Sequence, residues 1–389
     1  MRFRAATLLT AFTAATCISF AAQAFETTAK SAVVLDLSTD LTLMEKNADM
    51  ALPPASMSKL MTLNMTFEAL EDGRLSLDQR LPVSEHAKSF GGSTMFLNTR
   101  DRPTVEELIR GVVVLSGNDA SVVLGEAIAP DGTERGFAQM MTERAIELGM
   151  TNSTFANASG WPAAGQRMSM RDLATLGKRL IVDFPQYYGY FAETEFAFDN
   201  RAPDNRFNRN PLLKLGIGAD GLKTGHTQEA GYGLVGSAKQ GNRRIVFVVS
   251  GLATPQDRAT QSERITNWAF RQFAERQLAE DGVVLANAEV WMGSAASVGM
   301  AATEDIKVLV PVLDKDGVTA KITYQGPLSA PIEAGQKVAE LVVSVPGIGD
   351  ATHDLVATET ITAGGFMVRV RTAATVLFRQ LTGQAATLF

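Results

Sequence analysis

The stretch Pro54-Ala55-Ser56-Met57-Ser58-Lys59-Leu60-Met61-Thr62 sets a helix breaker, a hydroxyl and an amine at the mouth of an apolar run. Leu60, Leu63 and Phe67 follow at helical spacing, which predicts a helix from Ser56 to Leu70 that ends near Asp72-Gly73. Ser56 and Lys59 are then one turn apart and share a face. A lysine near a helix start, partly desolvated and among other cations, has a lowered pKa and can take the serine proton. The positive end of the helix dipole favours an anionic intermediate at the same place. Ser-x-x-Lys alone arises about once by chance in a chain of this size, where it reads equally as an ordinary capped helix.

Two other segments carry matching chemistry. Ser116-Gly117-Asn118 interrupts the apolar run from Val112 to Leu124, and burying such polar groups unpaired costs roughly 1–3 kcal/mol each. They read as facing a cleft, or as a plain helix-to-helix turn. Lys223-Thr224-Gly225-His226-Thr227 puts a cation and a hydroxyl on a short strand, with a glycine that lets a ligand approach the backbone; the bland reading is a solvated edge strand. Other hydrolytic chemistries have little to work with. The 389-residue chain has three histidines, His86, His226 and His353, with no His-Glu-x-x-His spacing and no Gly-x-Ser-x-Gly elbow beside them. Neither a metal nor an organic cofactor is implied.

Outward from these motifs the chain reads as an α+β domain. Ala32 to Leu37 and Leu41 to Glu45 form a hairpin. Helical patterns run from Thr104 to Ala129, with Thr104 as a cap, from Gly136 to Gly149 and from Met170 to Val182. Between Gly149 and Ser169 the Asn-, Ser-, Gly- and Pro-rich composition predicts a surface loop. Strand candidates Gly221 to His226, Gly231 to Ala238 and Arg244 to Gly251 precede a helix predicted over Ser262 to Leu278. One antiparallel five-stranded sheet, built from both ends of residues 25–279 with a helical cluster beside it, accounts for this order. Residues 283–364 show short Val-rich runs punctuated by Gly, Pro and Asp, which predicts a small all-β domain.

Ser-x-x-Lys, Ser-x-Asn and Lys-Thr-Gly in this order, with roughly sixty and then roughly a hundred residues between them, are together the signature of penicillin-binding proteins and class A β-lactamases. From about Ala32 to Phe273 the chain resembles the D-alanyl-D-alanine carboxypeptidases among the low-molecular-mass penicillin-binding proteins. The resemblance lies in Pro54 to Thr62, Gly91-Gly92-Ser93-Thr94-Met95-Phe96-Leu97, Ser116-Gly117-Asn118-Asp119-Ala120 and Asp220 to Thr227, and continues more weakly through the β domain and the tail. It implies a β-lactamase/transpeptidase-like fold in which Ser56 forms an acyl-enzyme with the stem peptide of peptidoglycan, and with β-lactams as covalent inhibitors. It also implies Lys59 as base, Ser116 and Lys223 as proton relays, and Asn118 on the substrate amide. Gly225 belongs to the same substrate-binding strand. Backbone N–H groups of Ser56 and His226 are the implied oxyanion hole, and Thr224 and Arg258 hold the terminal carboxylate. Close relatives often carry a histidine where this chain has Ser159. A class A β-lactamase fits less well, because the second motif is Ser-Gly-Asn and residues 151–169 contain no acid. A serine-type glutaminase can show Ser-x-x-Lys and Ser-Gly-Asn, but the intact Lys-Thr-Gly counts against it. A non-catalytic wall-binding protein would keep the fold without needing every catalytic residue, and here all of them are present.

The two ends carry their own signals. Residues 1–24 have Arg2 and Arg4, an apolar stretch from Ala5 to Ala22 and a closing Ala22-Gln23-Ala24, the pattern of a cleavable secretory signal, and the single cysteine, Cys17, lies inside it. The formal net charge of −6 falls to −8 without Arg2 and Arg4, which argues against a nucleic-acid surface. In residues 366–389, Phe366, Val370, Leu377, Leu381 and Leu388 fall on one side of a helix, and Arg369, Arg371 and Arg379 avoid it. That layout predicts an amphipathic helix on a membrane surface, too interrupted to span a bilayer. The expected location is the periplasm, on the outer face of the inner membrane.

Overall fold

The computed structural model describes residues 25–201, 205–312, 317–345, 349–366 and Val370. Five strands, β1 (Ser31–Asp36), β2 (Leu41–Lys46), β3 (Ala219–Thr227), β4 (Gly231–Gln240) and β5 (Arg243–Leu252), pair antiparallel in the order β2-β1-β5-β4-β3. The two-residue period of a strand sorts the central side chains onto two faces. Val33, Val235, Val246 and Val248 join one apolar core, and Ala32, Val34, Ile245, Phe247 and Val249 join the other. The first core packs under α1 (Lys59–Glu71), α2 (Glu85–Lys88), α3 (Val105–Arg110), α4 (Asn118–Ile128), α5 (Glu134–Glu147), α6 (Met170–Val182) and α7 (Pro185–Tyr188). The second is closed by α8 (Pro255–Gln272) through Ile265 and Ala269. A buried ion pair, Arg243 Nη2 to Asp36 Oδ2 at 2.8 Å, ties the end of β1 to β5, and Arg243 also donates to the carbonyls of Ala269 and Phe273.

Two helices differ from their expected form. The span from Thr104 to Ala129 is broken in the middle. Thr104 and Glu107 form a capping box that starts α3, but Gly111–Leu115 winds into a π turn and Ser116 takes a left-handed φ of 62° before α4 begins. Gly111 is pressed against the Met95 side chain, where a β-carbon would collide, and its carbonyl receives Gly117 N–H at 3.0 Å. The helix expected over Ser262 to Leu278 starts at Pro255, because Thr254 caps the N–H of Asp257, and ends at Gln272. Phe273–Ala279 is instead strand β6, paired antiparallel with β9 (Ile306–Pro311). The apolar spacing of Phe273 continues the helical pattern, but cross-strand pairing and the Arg243 bond to its carbonyl override it.

The remaining strands are β7 (Val284–Trp291), β8 (Ser297–Ala302), β10 (Thr319–Thr323), β11 (Leu328–Ser329), β12 (Lys337–Val345) and β13 (Gly349–Ala357). They form a six-stranded sheet in the order β10-β12-β13-β8-β7-β11, over a separate core that includes Val298, Met300, Leu341, Val343 and Leu355. The secretory signal expected at residues 1–24 and, apart from Phe366 and Val370, the amphipathic tail expected at 366–389 lie outside the described residues. Among the described residues no helix is long and apolar enough to cross a membrane.

Candidate active site

Ser56 sits in a single 3-10 turn, Ala55–Ser58, that feeds directly into α1. Ala55 holds a positive φ of 48°, and Ser56 is partly exposed while Ala55, Met57, Ser58 and Lys59 are buried. Strand β3 is the sheet edge that faces this turn, and Gly225 is what allows the approach. A β-carbon there would come within 2.9 Å of the Pro54 carbonyl and 3.0 Å of Met57 Cγ. The glycine of Lys-Thr-Gly therefore makes room for the Ser56 turn itself, where the sequence reading gave that room to a ligand.

Lys59 is fully buried, and its Nζ has three neighbours: Ser56 Oγ at 3.1 Å, Asn118 Oδ1 at 2.7 Å and the Ser159 carbonyl at 2.6 Å. Burial, then the nearby Arg209 guanidinium, lower its pKa to about 7, opposed by Asp119. A neutral amine donates two hydrogen bonds and accepts one. The two carbonyl-type oxygens can only accept, so they take both N–H groups and leave the nitrogen lone pair for the Ser56 O–H.

Ser116 Oγ accepts from Lys223 Nζ at 2.9 Å, and Lys223 also reaches the Thr224 carbonyl at 3.3 Å. Burial together with Lys59, Arg209 and Arg258 holds Lys223 well below the usual lysine range. The Ser116-Gly117-Asn118 segment is thus a helix junction and a cleft wall at once. Asn118, expected on the substrate amide, is largely engaged within the protein: Oδ1 accepts from Lys59 and Nδ2 donates to the Gly91 carbonyl at 2.8 Å. The second Nδ2 hydrogen is the one left for a ligand.

His226 is exposed and stacks on Tyr232 with ring centroids 3.8 Å apart, and Arg258 lies over the same tyrosine at 5.6 Å. Thr224 is buried beside them. Among the described residues Arg258 has no carboxylate partner, and its buried Nε has no hydrogen-bond acceptor. Arg209 is likewise without a carboxylate among them, donating to Ser93 Oγ at 2.6 Å and to Asn205 Oδ1 at 2.7 Å. Two such guanidinium groups beside Lys223 form a cationic pocket fit for a carboxylate.

The sequence reading missed Arg209, Asp119, Tyr232 and the Ser159 carbonyl. Asp119 was visible as an acid beside Asn118 in an apolar run; its carboxylate accepts the N–H groups of Met95 and Leu97 and so shapes the Gly91–Leu97 wall. Arg209 carried no local signal. No acid from residues 151–169 enters the site; the carboxylate behind that loop is Glu134, which accepts the Ala158 N–H at 3.0 Å and faces His86 Nε2 at 2.7 Å.

Residues 18–254 match the D-alanyl-D-alanine carboxypeptidase family, and residues 273–363 match the penicillin-binding protein 5 C-terminal domain. The chain is 35% identical over 345 residues to D-alanyl-D-alanine carboxypeptidase DacF of Bacillus subtilis (strain 168), a match that covers 87% of each. Its fold superimposes on penicillin-binding protein 5 from Haemophilus influenzae with a TM-score of 0.77 and 31% identity, over 87% of this chain and 98% of that one. Penicillin-binding protein D2 from Listeria monocytogenes, solved in an ampicillin-bound form, aligns with 63% of this chain and 98% of its own, at 31% identity and a TM-score of 0.56.

Proposed function

Because the chain belongs to the D-alanyl-D-alanine carboxypeptidase family, we propose that it removes the terminal D-alanine from peptidoglycan stem pentapeptides through an acyl-enzyme on Ser56. The observation that carries this reading is the set of contacts around Lys59, which leaves a lone pair directed at the Ser56 hydroxyl. Ser56 Oγ attacks the carbonyl between the two D-alanines while Lys59 takes its proton. The resulting oxyanion is held by the backbone N–H groups of Ser56 and His226, a contribution of several kcal/mol when the donors are preorganised. As the tetrahedral intermediate collapses, the proton held by Lys59 passes by way of the Ser116 hydroxyl, which Lys223 orients, to the D-alanine amine, so the amine leaves and Lys59 is neutral again. Water then deacylates Ser56 with Lys59 again as base.

Substrate selection follows from the unpaired cations. Thr224, Arg258 and Arg209 bind the terminal carboxylate, and the free Asn118 Nδ2 hydrogen binds the peptide carbonyl upstream. A β-lactam offers the same carboxylate and carbonyl, so it acylates Ser56 in the substrate's place. The signal pattern of residues 1–24 and the arginine-bearing tail support a periplasmic enzyme resting on the outer face of the inner membrane. Residues 25–389, given a pentapeptide that ends in D-alanyl-D-alanine, are expected to release free D-alanine, and Ser56→Ala to release none. Release by the variant at the wild-type rate, or none by the wild type, overturns the reading.

A further inference from the structure

The segment from Ala156 to Gln166 touches the nucleophile turn and helix at successive positions. Gln166 Nε2 donates to Ser58 Oγ at 2.7 Å, Lys59 donates to the Ser159 carbonyl at 2.6 Å, and Thr62 Oγ1 donates to the Ala158 carbonyl at 2.6 Å. Gly160, at φ 75°, lies so close to the Ala55 carbonyl that a β-carbon would collide with it. Within the segment one side chain gathers the backbone. Asn157 Oδ1 accepts the N–H groups of Ser159 at 3.2 Å, Gly160 at 2.8 Å and Trp161 at 3.1 Å, and faces the Ser159 hydroxyl at 3.4 Å. Its Nδ2 donates to the Trp161 carbonyl at 2.9 Å.

We infer that Asn157 is a positioning residue for proton transfer: it fixes the Ser159 peptide so that its carbonyl occupies one N–H of Lys59 and leaves the lone pair for Ser56. The inference rests on the reading of Ser56 as nucleophile and Lys59 as base. Without the Asn157 oxygen the three N–H groups lose their common acceptor and the Ser159 carbonyl is free to turn away. A neutral Lys59 can then direct a hydrogen, in place of its lone pair, toward Ser56. The other charges facing Lys59 come from Asp119 on α4, Arg209 ahead of β3 and Lys223 on β3, with Glu134 behind the loop, and a substitution at Asn157 removes none of them.

The test is the second-order rate of acylation by a fluorescent penicillin, measured from pH 5 to 10 for wild type, Asn157→Ala and Asn157→Asp, with thermal unfolding as a check on folding. Misplacement of a reacting group by about 1 Å costs on the order of a hundredfold in rate, and Asn157→Ala is expected to lose between about ten- and a hundredfold on the high-pH plateau. Its acid limb moves to lower pH, because a carbonyl binds the ammonium form more strongly than the amine. Asn157→Asp keeps the accepting oxygen, so its plateau returns to within a few-fold of wild type, and its added negative charge moves the acid limb to higher pH. If Asn157→Ala does not fold, the Asp variant decides alone: a plateau that falls with no shift of the limb overturns the inference. So do two folded variants with wild-type plateau and limb. Labelling that survives Ser56→Ala instead removes the underlying reading, a separate outcome.

Discussion

Burial, with two opposing charges beside it, decides the state of Lys59. Burial and Arg209 push its pKa down to about 7, and Asp119 pulls it back up. A base must be neutral to act, so acylation is expected to rise with pH through about 7 and to level off above it. Arg209→Gln removes a repelling cation, which raises the Lys59 pKa and moves the acid limb to higher pH. The same variant weakens the carboxylate pocket, so KM for the pentapeptide rises. A limb that stays in place or moves down in a stopped-flow pH series contradicts this assignment. Ser56, Lys59, Ser116, Asn118 and Lys223 were legible in the sequence because each belongs to a short motif whose spacing survives folding. Arg209 was not, since its Ser93 partner lies 116 residues away and only the folded domain brings it near Lys223.

At the scale of elements, the loop between α5 and α6 acts as a template for the turn that holds Ser56. Gly160 and Gly165 separate the template from ordinary loop behaviour. Both have positive φ, but a β-carbon at Gly160 meets the Ala55 carbonyl, whereas nothing lies within 4 Å of Gly165. Gly165→Ala is expected to cost about 1 kcal/mol from the left-handed backbone alone and to leave the penicillin labelling rate unchanged. Gly160→Ala adds a backbone collision, so it is expected to cost about 2 kcal/mol or more in urea unfolding and to slow labelling by displacing Ser56. Equal labelling rates in the two variants would contradict the template role. The elements legible in sequence were those fixed by local pattern, such as the β1–β2 hairpin and α6. The helix-to-helix turn at Ser116-Gly117-Asn118 was one of the two readings that its polar interruption offered, but the π turn before it was hidden, because Val112, Val113 and Val114 keep an apolar pattern through it and Met95 presses on Gly111 from a separate segment of the chain. Strand β6 was hidden for a similar reason, since β7 and β8 intervene before its partner β9.

Across the whole molecule, the proposed catalysis and the proposed attachment fall to different parts of the chain. The charged pocket, Ser56 and the loop behind it all belong to residues that surround the five-stranded sheet. The proposed surface anchor rests on Arg369, Arg371 and Arg379 and the apolar side chains opposite them. Residues 25–389 are therefore expected to float with vesicles that contain anionic lipid, less so at high salt, while residues 25–365 stay in solution and keep their penicillin labelling. Equal flotation of the two would remove the anchor and leave the chemistry untouched.

The central claim is that Ser56 is the acylated nucleophile. Its most direct test is to react residues 25–389 with a fluorescent penicillin, digest the protein and locate the label by mass. One label per chain, on the peptide that contains Ser56 and absent from Ser56→Ala, is the predicted result; a label on another residue, or one that persists in Ser56→Ala, contradicts the account.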